Sequence, residues 1–201
     1  MAEKKLIIIG LTGSIATGKS VVADILQSHG FAVFDADEAT KELSTPHGSA
    51  YPDIIKQFPM VVLPDGTIDR KKLADIVFAD KEKLARLENI LHPWVKILRE
   101  KFYAKAKQQG KKIVFIVVPL LFEKNIDQEC DQIWLMVSSS KNQMERAMKR
   151  QNMNQNLLQK ILANQMPDDK KIKHVDMVIE NNDTLSALEE NILCAIKAID
   201  G

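Results

Sequence analysis

The sequence predicts an α/β fold in which an open parallel β-sheet of about five strands is flanked by helices on both faces. The first observation is a strand–loop–helix–strand order between Leu6 and Phe34, which is the order of a βαβ unit. The second is a set of three further apolar runs, which are separated by stretches with helical periodicity. Together they favour a parallel sheet, although they do not determine the order of its strands.

The βαβ unit stands at the start of the chain. Leu6–Gly10 is a continuous apolar run that ends at a glycine, as is typical of a buried parallel strand. A helical pattern follows the next loop, and Gly30 is its expected C-terminal cap. Phe31–Phe34 predicts the second strand, which leads directly into the acidic tripeptide Asp35–Asp37.

The rest of the chain contains two segments with the character of insertions. In the first, residues about 38–109, Pro93 interrupts a helical pattern, which predicts a kink or two helices meeting at His92 and Pro93. The second, residues about 141–172, opens with Ser140 and Gln143 as a candidate capping box. The remaining strands and the last helix are predicted at Lys112–Val118, Ile133–Val137, Val175–Ile179 and Leu185–Ile199.

The composition indicates an ordinary globular protein. A chain of 201 residues can bury ~70% of its unfolded surface without disulfides or metals to staple it. The 28 basic and 27 acidic residues leave a formal charge of +1, so charge does not favour nucleic acid or a membrane surface. No segment approaches the ~20 apolar residues that span a bilayer. Cys130 and Cys194 predict two buried apolar thiols. We expect a cytoplasmic protein with no nucleic-acid, membrane or obligate protein partner.

The loop after the first strand carries the most specific motif. Residues 13–20 read GSIATGKS and match G-x-x-x-x-G-K-[ST] in full, with a strand before and a helix after. Its glycines let successive N–H groups surround phosphate oxygens, and the helix N-terminus adds partial positive charge. Lys19 can reach the β- and γ-phosphates, and Ser20 can hold Mg²⁺. A nucleoside triphosphate is therefore expected on Gly13, Ser14, Ile15, Ala16, Thr17, Gly18, Lys19 and Ser20.

Carboxylates near this loop are candidates for the chemistry. No N-K-x-D guanine-reading motif occurs, and the third strand is followed by PLLFE rather than by an aspartate. Asp35 and Asp37 end the second strand, where an open α/β sheet borders its ligand crevice. One of them could orient an acceptor hydroxyl and order water around Mg²⁺. The alternative is a solvated turn that caps the next helix.

Two arginines in the second insertion suggest a lid. Arg146 and Arg150 are four residues apart, which predicts one helical face. On a lid helix they could exclude water and approach a transferring phosphate, and water exclusion matters because water competes with the acceptor. The alternative is a solvated charged face.

These motifs form a series that resembles the dephospho-coenzyme A kinase family. The series covers nearly the whole chain in that family's order and spacing. It consists of GLTGSIATGKS, DADEATK, DGTIDRKKL, LENILHP, PLLFE, the two arginines, ANQM and VDMVIENND. The phosphate loop is shared by many families, whereas the combination of DAD, the His-Pro step and PLLFE is far more specific.

The resemblance implies a reaction and a division of the chain. The γ-phosphate of ATP would be transferred to the ribose 3′-hydroxyl of dephospho-CoA, with Mg²⁺ as the metal, to complete coenzyme A. The chain would be a single P-loop kinase domain over residues 1–201. Its core would be about 1–37, 110–140 and 173–201, with a helical substrate-binding insertion at about 38–109 and a lid at about 141–172.

The resemblance also implies residue roles by position. Asp37 would engage the acceptor hydroxyl, Arg146 or Arg150 would approach ATP from the lid, and Asn181 would lie near the adenine. The implied catalytic residues are Asp37, Lys19 and Arg146, and the implied metal ligands are Ser20 and Asp37. The residues implied to line or support the acceptor site are Asp37, Lys41, Arg70, His92, Pro119, Leu120 and Leu121. For His92 the alternative is a histidine that satisfies a backbone group and does no chemistry.

Three positions depart from the family's pattern. Ala16 stands where glycine is common, and alanine should be tolerated there unless the residue needs a positive φ. Lys41 stands where arginine is common, and lysine lacks the bidentate fork. Pro59 follows Phe58 where glycine is common, which should stiffen that turn.

Two other functions stay open on the sequence. One is a different small-molecule kinase, of the shikimate or nucleoside-monophosphate type, because an acidic pair after the second strand also suits a shikimate-like site. The other is a nucleotide-dependent switch or binding module without turnover, which predicts ATP binding with no acceptor-dependent release of ADP.

Overall fold

The computed structural model describes residues 5–150 and 153–200, and these ranges contain five strands and nine α-helices. The ranges leave out residues 1–4 and 201 of the predicted core and residues 151–152 of the predicted lid. The strands are β1 (Ile7–Thr12), β2 (Ala32–Asp35), β3 (Ile113–Val117), β4 (Gln132–Val137) and β5 (Met177–Glu180). The helices are α1 (Lys19–Ser28), α2 (Ala36–Leu43), α3 (Tyr51–Gln57), α4 (Arg70–Phe78), α5 (Lys81–Gln108), α6 (Ser140–Met148), α7 (Gln155–Ala163), α8 (Asp168–Lys171) and α9 (Leu185–Asp200).

The chain divides into two compact units. The first ends at Phe34, resumes at Gln109 and contains the sheet, whereas the second is Asp35–Gln108. The five strands lie in the order β2-β3-β1-β4-β5, and β1 pairs in parallel with both β3 and β4. Strand β4 pairs in parallel with β5. The predicted fold class, a five-stranded parallel sheet flanked by helices, is confirmed.

One face of the sheet packs against α1 and α9. Alternate residues of the strands point to this face because side chains alternate along a strand. Phe115 and Trp134 lie at its centre, with their ring centroids 5.3 Å apart in an edge-to-face arrangement. The helices contribute Val22, Ala23, Ile25, Leu26, Leu188, Ile192, Ala195 and Ile196. This buried layer fixes the sheet whose carboxyl ends carry the phosphate loop after β1 and Asn181 after β5.

Asp131 joins the beginnings of β1 and β4. Its backbone N–H donates to Ile8 O over 2.8 Å, and its carboxylate accepts from the Ile8 N–H over 2.9 Å and from the Lys5 ammonium. Burial raises the pKa of this carboxyl, but the hydrogen bonds from Lys5 and Ile8 outweigh burial. The pKa of Asp131 is therefore lowered from its ordinary value.

Asp131→Asn tests this contribution to acid stability. A carboxyl whose pKa is lowered on folding adds stability above its unfolded-state pKa of about 4, and that stability is lost as pH falls through the folded-state pKa. Asparagine keeps an acceptor for Ile8 but has no charge to lose. We expect the free energy of unfolding to fall more steeply for the wild type than for D131N between about pH 5 and pH 3. Urea denaturation at a series of pH values measures both slopes, and equal slopes would contradict the assignment.

The second unit is built around one long helix. Its core contains Leu43, Ala50, Ile54, Phe58, Val61, Ile68, Leu73 and Val77. Helix α5 continues through Pro93, so of the two alternatives predicted there, a kink or two helices meeting, the second was wrong. An internal proline costs about 3 kcal/mol, but Leu91 and Trp94, on either side of it, pack against the same core. Shared packing therefore holds both halves in one helix. Pro59 begins a short 3-10 helix (Pro59–Val61), where its missing N–H removes no intrahelical hydrogen bond.

Two expectations from composition have mixed outcomes. Neither Cys130 nor Cys194 forms a disulfide, and Cys130 is half-buried while Cys194 is exposed, so the expectation of two buried thiols was wrong. Within the described residues, none of the helices has the length and apolar character that crossing a membrane requires.

Candidate active site

Residues 13–20 connect β1 to α1 in a tightly curled loop. Gly13 has a φ of 148°, Ala16 of 63° and Gly18 of 107°. Thr17 closes the loop on itself, because its hydroxyl donates to Ser14 O over 2.9 Å and is fully buried. The loop ends at Lys19, the first residue of α1, so that the positive end of that helix follows directly. This backbone can direct N–H groups at phosphate oxygens.

Lys19 folds back over the loop. Its ammonium donates to Gly13 O over 2.7 Å and to Ser14 O over 3.0 Å. Ser20 is exposed in the first turn of α1. A positive charge and a hydroxyl oxygen therefore stand together where the loop becomes a helix, as binding of phosphate and a hard cation would require.

Asn181 links the loop to α6. It lies just beyond β5, is 7% exposed, and its amide N–H donates to Thr17 O over 2.9 Å. Its amide oxygen accepts from Arg146 over 3.3 Å. Both ends of this amide are thus bonded to protein groups, and the residue predicted to lie near the adenine also fixes the loop carbonyl at Thr17.

The two arginines of the second insertion differ in their surroundings. Arg146 lies on α6, is half-buried and also donates to Ser138 Oγ over 3.3 Å. Arg150 is exposed and follows the helix, which ends at Met148, so the prediction of one shared helical face was wrong. The helix begins one residue earlier than its sequence suggested. The hydroxyl of Ser139, not that of Ser140, accepts the capping hydrogen bond, from the Asn142 N–H.

Three residues to which the sequence assigned no role at the loop hold its outer part. Gln143 on α6 donates to Ile15 O over 2.8 Å, and Gln165 accepts from the Ile15 N–H over 3.1 Å. Asp168, at the start of α8, accepts from the Ser14 hydroxyl over 2.7 Å. The sequence offered little indication of these contacts. Gln165 belongs to the ANQM stretch, but no spacing in the sequence indicated that it would bind Ile15.

Ala16 has the conformation that glycine usually supplies. Alanine was expected to be tolerated here unless the residue needs a positive φ, and the structure shows that it has one. This conformation costs an L-residue about 1–2 kcal/mol. The alanine is 4% exposed, and its methyl group packs with Ala147 and Leu158. Packing against α6 and α7 therefore offsets part of the conformational cost.

Gly18, in contrast, admits no side chain. A Cβ atom there would lie 2.0 Å from Asn181 Nδ2, which is held by its bond to Thr17 O. We expect Gly18→Ala to weaken ATP binding by about tenfold or more, because the side chain has to displace a buried hydrogen bond worth ~1–3 kcal/mol.

Ala16→Gly is the matched control for that variant. Relief of the positive φ and loss of one buried methyl, about 0.8 kcal/mol, act in opposite directions. We expect ATP affinity within about fivefold of the wild type, since less than ~1 kcal/mol is left over. Calorimetric titration of both variants with Mg-ATP compares them, and equal affinity in G18A and A16G would contradict the role given to Gly18.

The second unit carries four of the predicted acceptor residues, which are Asp37, Lys41, Arg70 and His92. Strand β2 ends at Asp35, whose carboxylate caps α2 by accepting from the N–H groups of Asp37 (2.8 Å) and Glu38 (3.2 Å). The capping alternative therefore holds for Asp35. Asp37 lies in the first turn of α2, so the two carboxylates do not share a strand face.

Lys41 and Arg70 lie together in the same unit. Arg70 is the first residue of α4 and donates to Lys41 O over 3.2 Å, while the Lys41 ammonium pairs with Glu38 over 2.5 Å. His92 is exposed on α5. The unit thus presents basic groups on three helices, of the kind that bind an anionic substrate.

The segment after β3 belongs to the first unit. Pro119 and Leu120 are half-buried, and Pro119 O accepts from the Thr12 hydroxyl over 3.3 Å at the end of β1. Leu121 is fully buried. Among the described residues, no group of three or more His, Cys, Asp and Glu side chains could hold a metal ion.

Comparison with known proteins gives a consistent result. The family model CoaE, described as dephospho-CoA kinase, matches residues 7–187. A dephospho-CoA kinase of Fusobacterium nucleatum is 42% identical over 189 residues, which cover 93% of this chain and 95% of that protein.

Solved structures agree with the fold. TT1252 from Thermus thermophilus superposes with a TM-score of 0.84 at 31% identity, over 98% of this chain and all of that one. Shikimate kinase from Acinetobacter baumannii gives a TM-score of 0.56 at 15% identity, over 98% of this chain and 96% of that chain. The second likeness shows a shared fold and nothing about the acceptor.

Proposed function

The chain belongs to the dephospho-CoA kinase family, and we propose that it transfers the γ-phosphate of ATP to the ribose 3′-hydroxyl of dephospho-CoA, which gives coenzyme A and ADP. The observation that carries this proposal is the family match over residues 7–187, which includes both the phosphate loop and Asp37. The reaction is the last step of coenzyme A synthesis.

On the nucleotide side, the phosphate loop binds and orients ATP. Lys19, which now bonds to two loop carbonyls, exchanges these partners for β- and γ-phosphate oxygens when ATP binds. Arg146 approaches the same phosphates from α6, at the start of the segment that we propose as the lid. Arg150 is a second candidate for this contact, and Asn181 supports the adenine end.

On the acceptor side, Asp37 accepts the proton of the 3′-hydroxyl while the oxygen of that hydroxyl attacks the γ-phosphorus. The new bond joins this oxygen to phosphorus, and the bond from phosphorus to the β–γ bridging oxygen breaks to release ADP. Asp35 is the weaker candidate for this base, because its carboxylate already caps α2. Lys41, Arg70 and His92 bind or shape the anionic acceptor, together with residues 119–121 after β3.

Ser20 and Asp37 are the proposed ligands for Mg²⁺, directly or through water. The exposed Ser20 hydroxyl at the start of α1 is a hard oxygen donor, which suits this cation. When bound, Mg²⁺ neutralises charge on the phosphates. We place the reaction in the cytoplasm, with small-molecule substrates and without a nucleic-acid or obligate protein partner.

A panel of acceptors tests the proposal against the alternative hypothesis of a shikimate or nucleoside-monophosphate kinase. Purified protein with Mg-ATP is given dephospho-CoA, shikimate or a nucleoside monophosphate, and ADP release is measured for each. We expect release with dephospho-CoA only. Release of ADP with shikimate or a nucleoside monophosphate instead would show that the acceptor is not dephospho-CoA. ATP binding without ADP release for any acceptor would favour a nucleotide-dependent switch without turnover.

A further inference from the structure

Lys171 is a buried cation with no role in the proposed mechanism. It is the last residue of α8, its side chain is 0% exposed, and its ammonium has no hydrogen-bond partner among the described residues. Burial lowers the pKa of Lys171, while the charges of Glu123 and Asp168 partly oppose that shift. A lysine so completely removed from water is rare unless its charge is compensated.

Two carboxylates provide this compensation. Asp168 Oδ1 lies 3.8 Å from the ammonium and is the same atom that accepts the Ser14 hydroxyl of the phosphate loop. Glu123, the last residue of PLLFE, accepts the Met166 N–H over 2.5 Å with one oxygen. Its other oxygen is buried and has no hydrogen-bond partner among the described residues. Lys171 is therefore the cation between one carboxylate that binds the loop through Ser14 and one that anchors the segment before α8.

The position of Asp168 creates an electrostatic problem for a phosphate-binding loop. A carboxylate one hydrogen bond from Ser14 repels the phosphates of ATP unless a cation offsets its charge. Lys171 is that cation, because it forms an ion pair with Asp168. Its burial keeps the offset within the protein, where salt screens it little.

We propose that Lys171 is a positioning residue for ATP binding, which neutralises Asp168 and Glu123 and so allows Asp168 to hold Ser14 beside the phosphates. This inference rests on the ATP-binding part of the proposed function. It does not depend on the identity of the acceptor.

Lys171→Met is the principal test, with Lys170→Met as its control. Methionine keeps the length of the buried chain and removes the charge, whereas Lys170 is exposed and its replacement changes the net charge by the same amount. We expect K171M to weaken Mg-ATP binding by about tenfold, as for loss of a partner to a charged group, and K170M to leave it unchanged. Calorimetric titration measures affinity, and thermal unfolding checks that each variant is folded.

Rescue separates charge neutralisation from packing. In the double variant K171M/D168N, the new asparagine still offers an oxygen to Ser14 but carries no charge to be neutralised. We expect the double variant to recover most of the lost ATP affinity, and the KM for dephospho-CoA to stay the same throughout. If the double variant binds ATP as weakly as K171M does, Lys171 has a packing role only. Unchanged ATP affinity in folded K171M would contradict the inference.

A further variant keeps the test informative if K171M does not fold. Ser14→Ala removes the hydrogen bond to Asp168 without altering the buried charges, and we expect it to weaken ATP binding severalfold. Unchanged affinity in S14A would overturn the route through Asp168. A wild-type protein that binds ATP but does not phosphorylate dephospho-CoA would reject the proposed acceptor and leave this test intact.

Discussion

We expect Asp37→Asn to lower the turnover number by ~100-fold or more and to leave the affinity for ATP nearly unchanged. Asparagine has almost the same size as aspartate but cannot take the proton of the acceptor hydroxyl. Asp37 lies in the first turn of α2, outside the phosphate loop, and asparagine keeps an oxygen for the proposed Mg²⁺ site, so the exchange should spare nucleotide binding. Steady-state kinetics with dephospho-CoA, combined with direct titration of Mg-ATP, measure the two quantities separately.

Asp35→Asn is the control for that variant. It changes the neighbouring carboxylate in the same way, but asparagine is as good an N-cap as aspartate, so α2 keeps its first turn. We expect turnover within about threefold of the wild type, since this capping exchange costs little. Near-normal turnover in D37N, or a large loss confined to D35N, would transfer the role of base away from Asp37.

We expect Lys19→Ala to lower turnover by about 100- to 1,000-fold and to weaken ATP binding as well. The lysine ammonium is already held at the loop by Gly13 and Ser14, so little rearrangement is needed to reach the phosphates. Removing it takes away a positive charge where negative charge accumulates during transfer. Rapid-quench kinetics at saturating ATP separate the loss in the chemical step from the loss in binding.

Lys111→Ala is the matched control for the loop lysine. Lys111 donates to Gly30 O over 2.9 Å and is exposed, so its removal changes the net charge by the same amount at another place. We expect unaltered turnover in K111A. An unaltered rate in K19A would contradict the phosphate-binding account of residues 13–20.

The fold could be predicted because the strongest patterns are local. Apolar runs marked all five strands, and the loop motif needed only the strand and helix on either side of it. The order β2-β3-β1-β4-β5 depends on pairings between distant segments, which no single run encodes. The alternative of two helices at Pro93 was wrong because the local penalty of proline is visible in the sequence, whereas the core that holds α5 together is formed by tertiary contacts.

The sequence indicated the motifs of the candidate site but not the contacts that hold these motifs in place. The positions of Lys19 and Ser20 follow from the spacing of the loop. The αL conformation of Ala16 and the bonds of Asn181 to Thr17 and Arg146 follow only from how neighbouring elements pack. Lys171 lies in a run of charged residues, which is typical of a solvent-exposed surface. The sequence therefore did not indicate that Lys171 is buried.

The transfer of phosphate to dephospho-CoA is the central claim, and identification of the product tests it most directly. Purified protein is incubated with Mg-ATP and dephospho-CoA, ADP is quantified, and mass spectrometry with an authentic standard identifies the phosphorylated product. We predict equal amounts of ADP and coenzyme A, and no coenzyme A when either substrate is omitted. ADP formation that does not depend on dephospho-CoA, or a product phosphorylated elsewhere than at the ribose 3′-hydroxyl, would contradict the account.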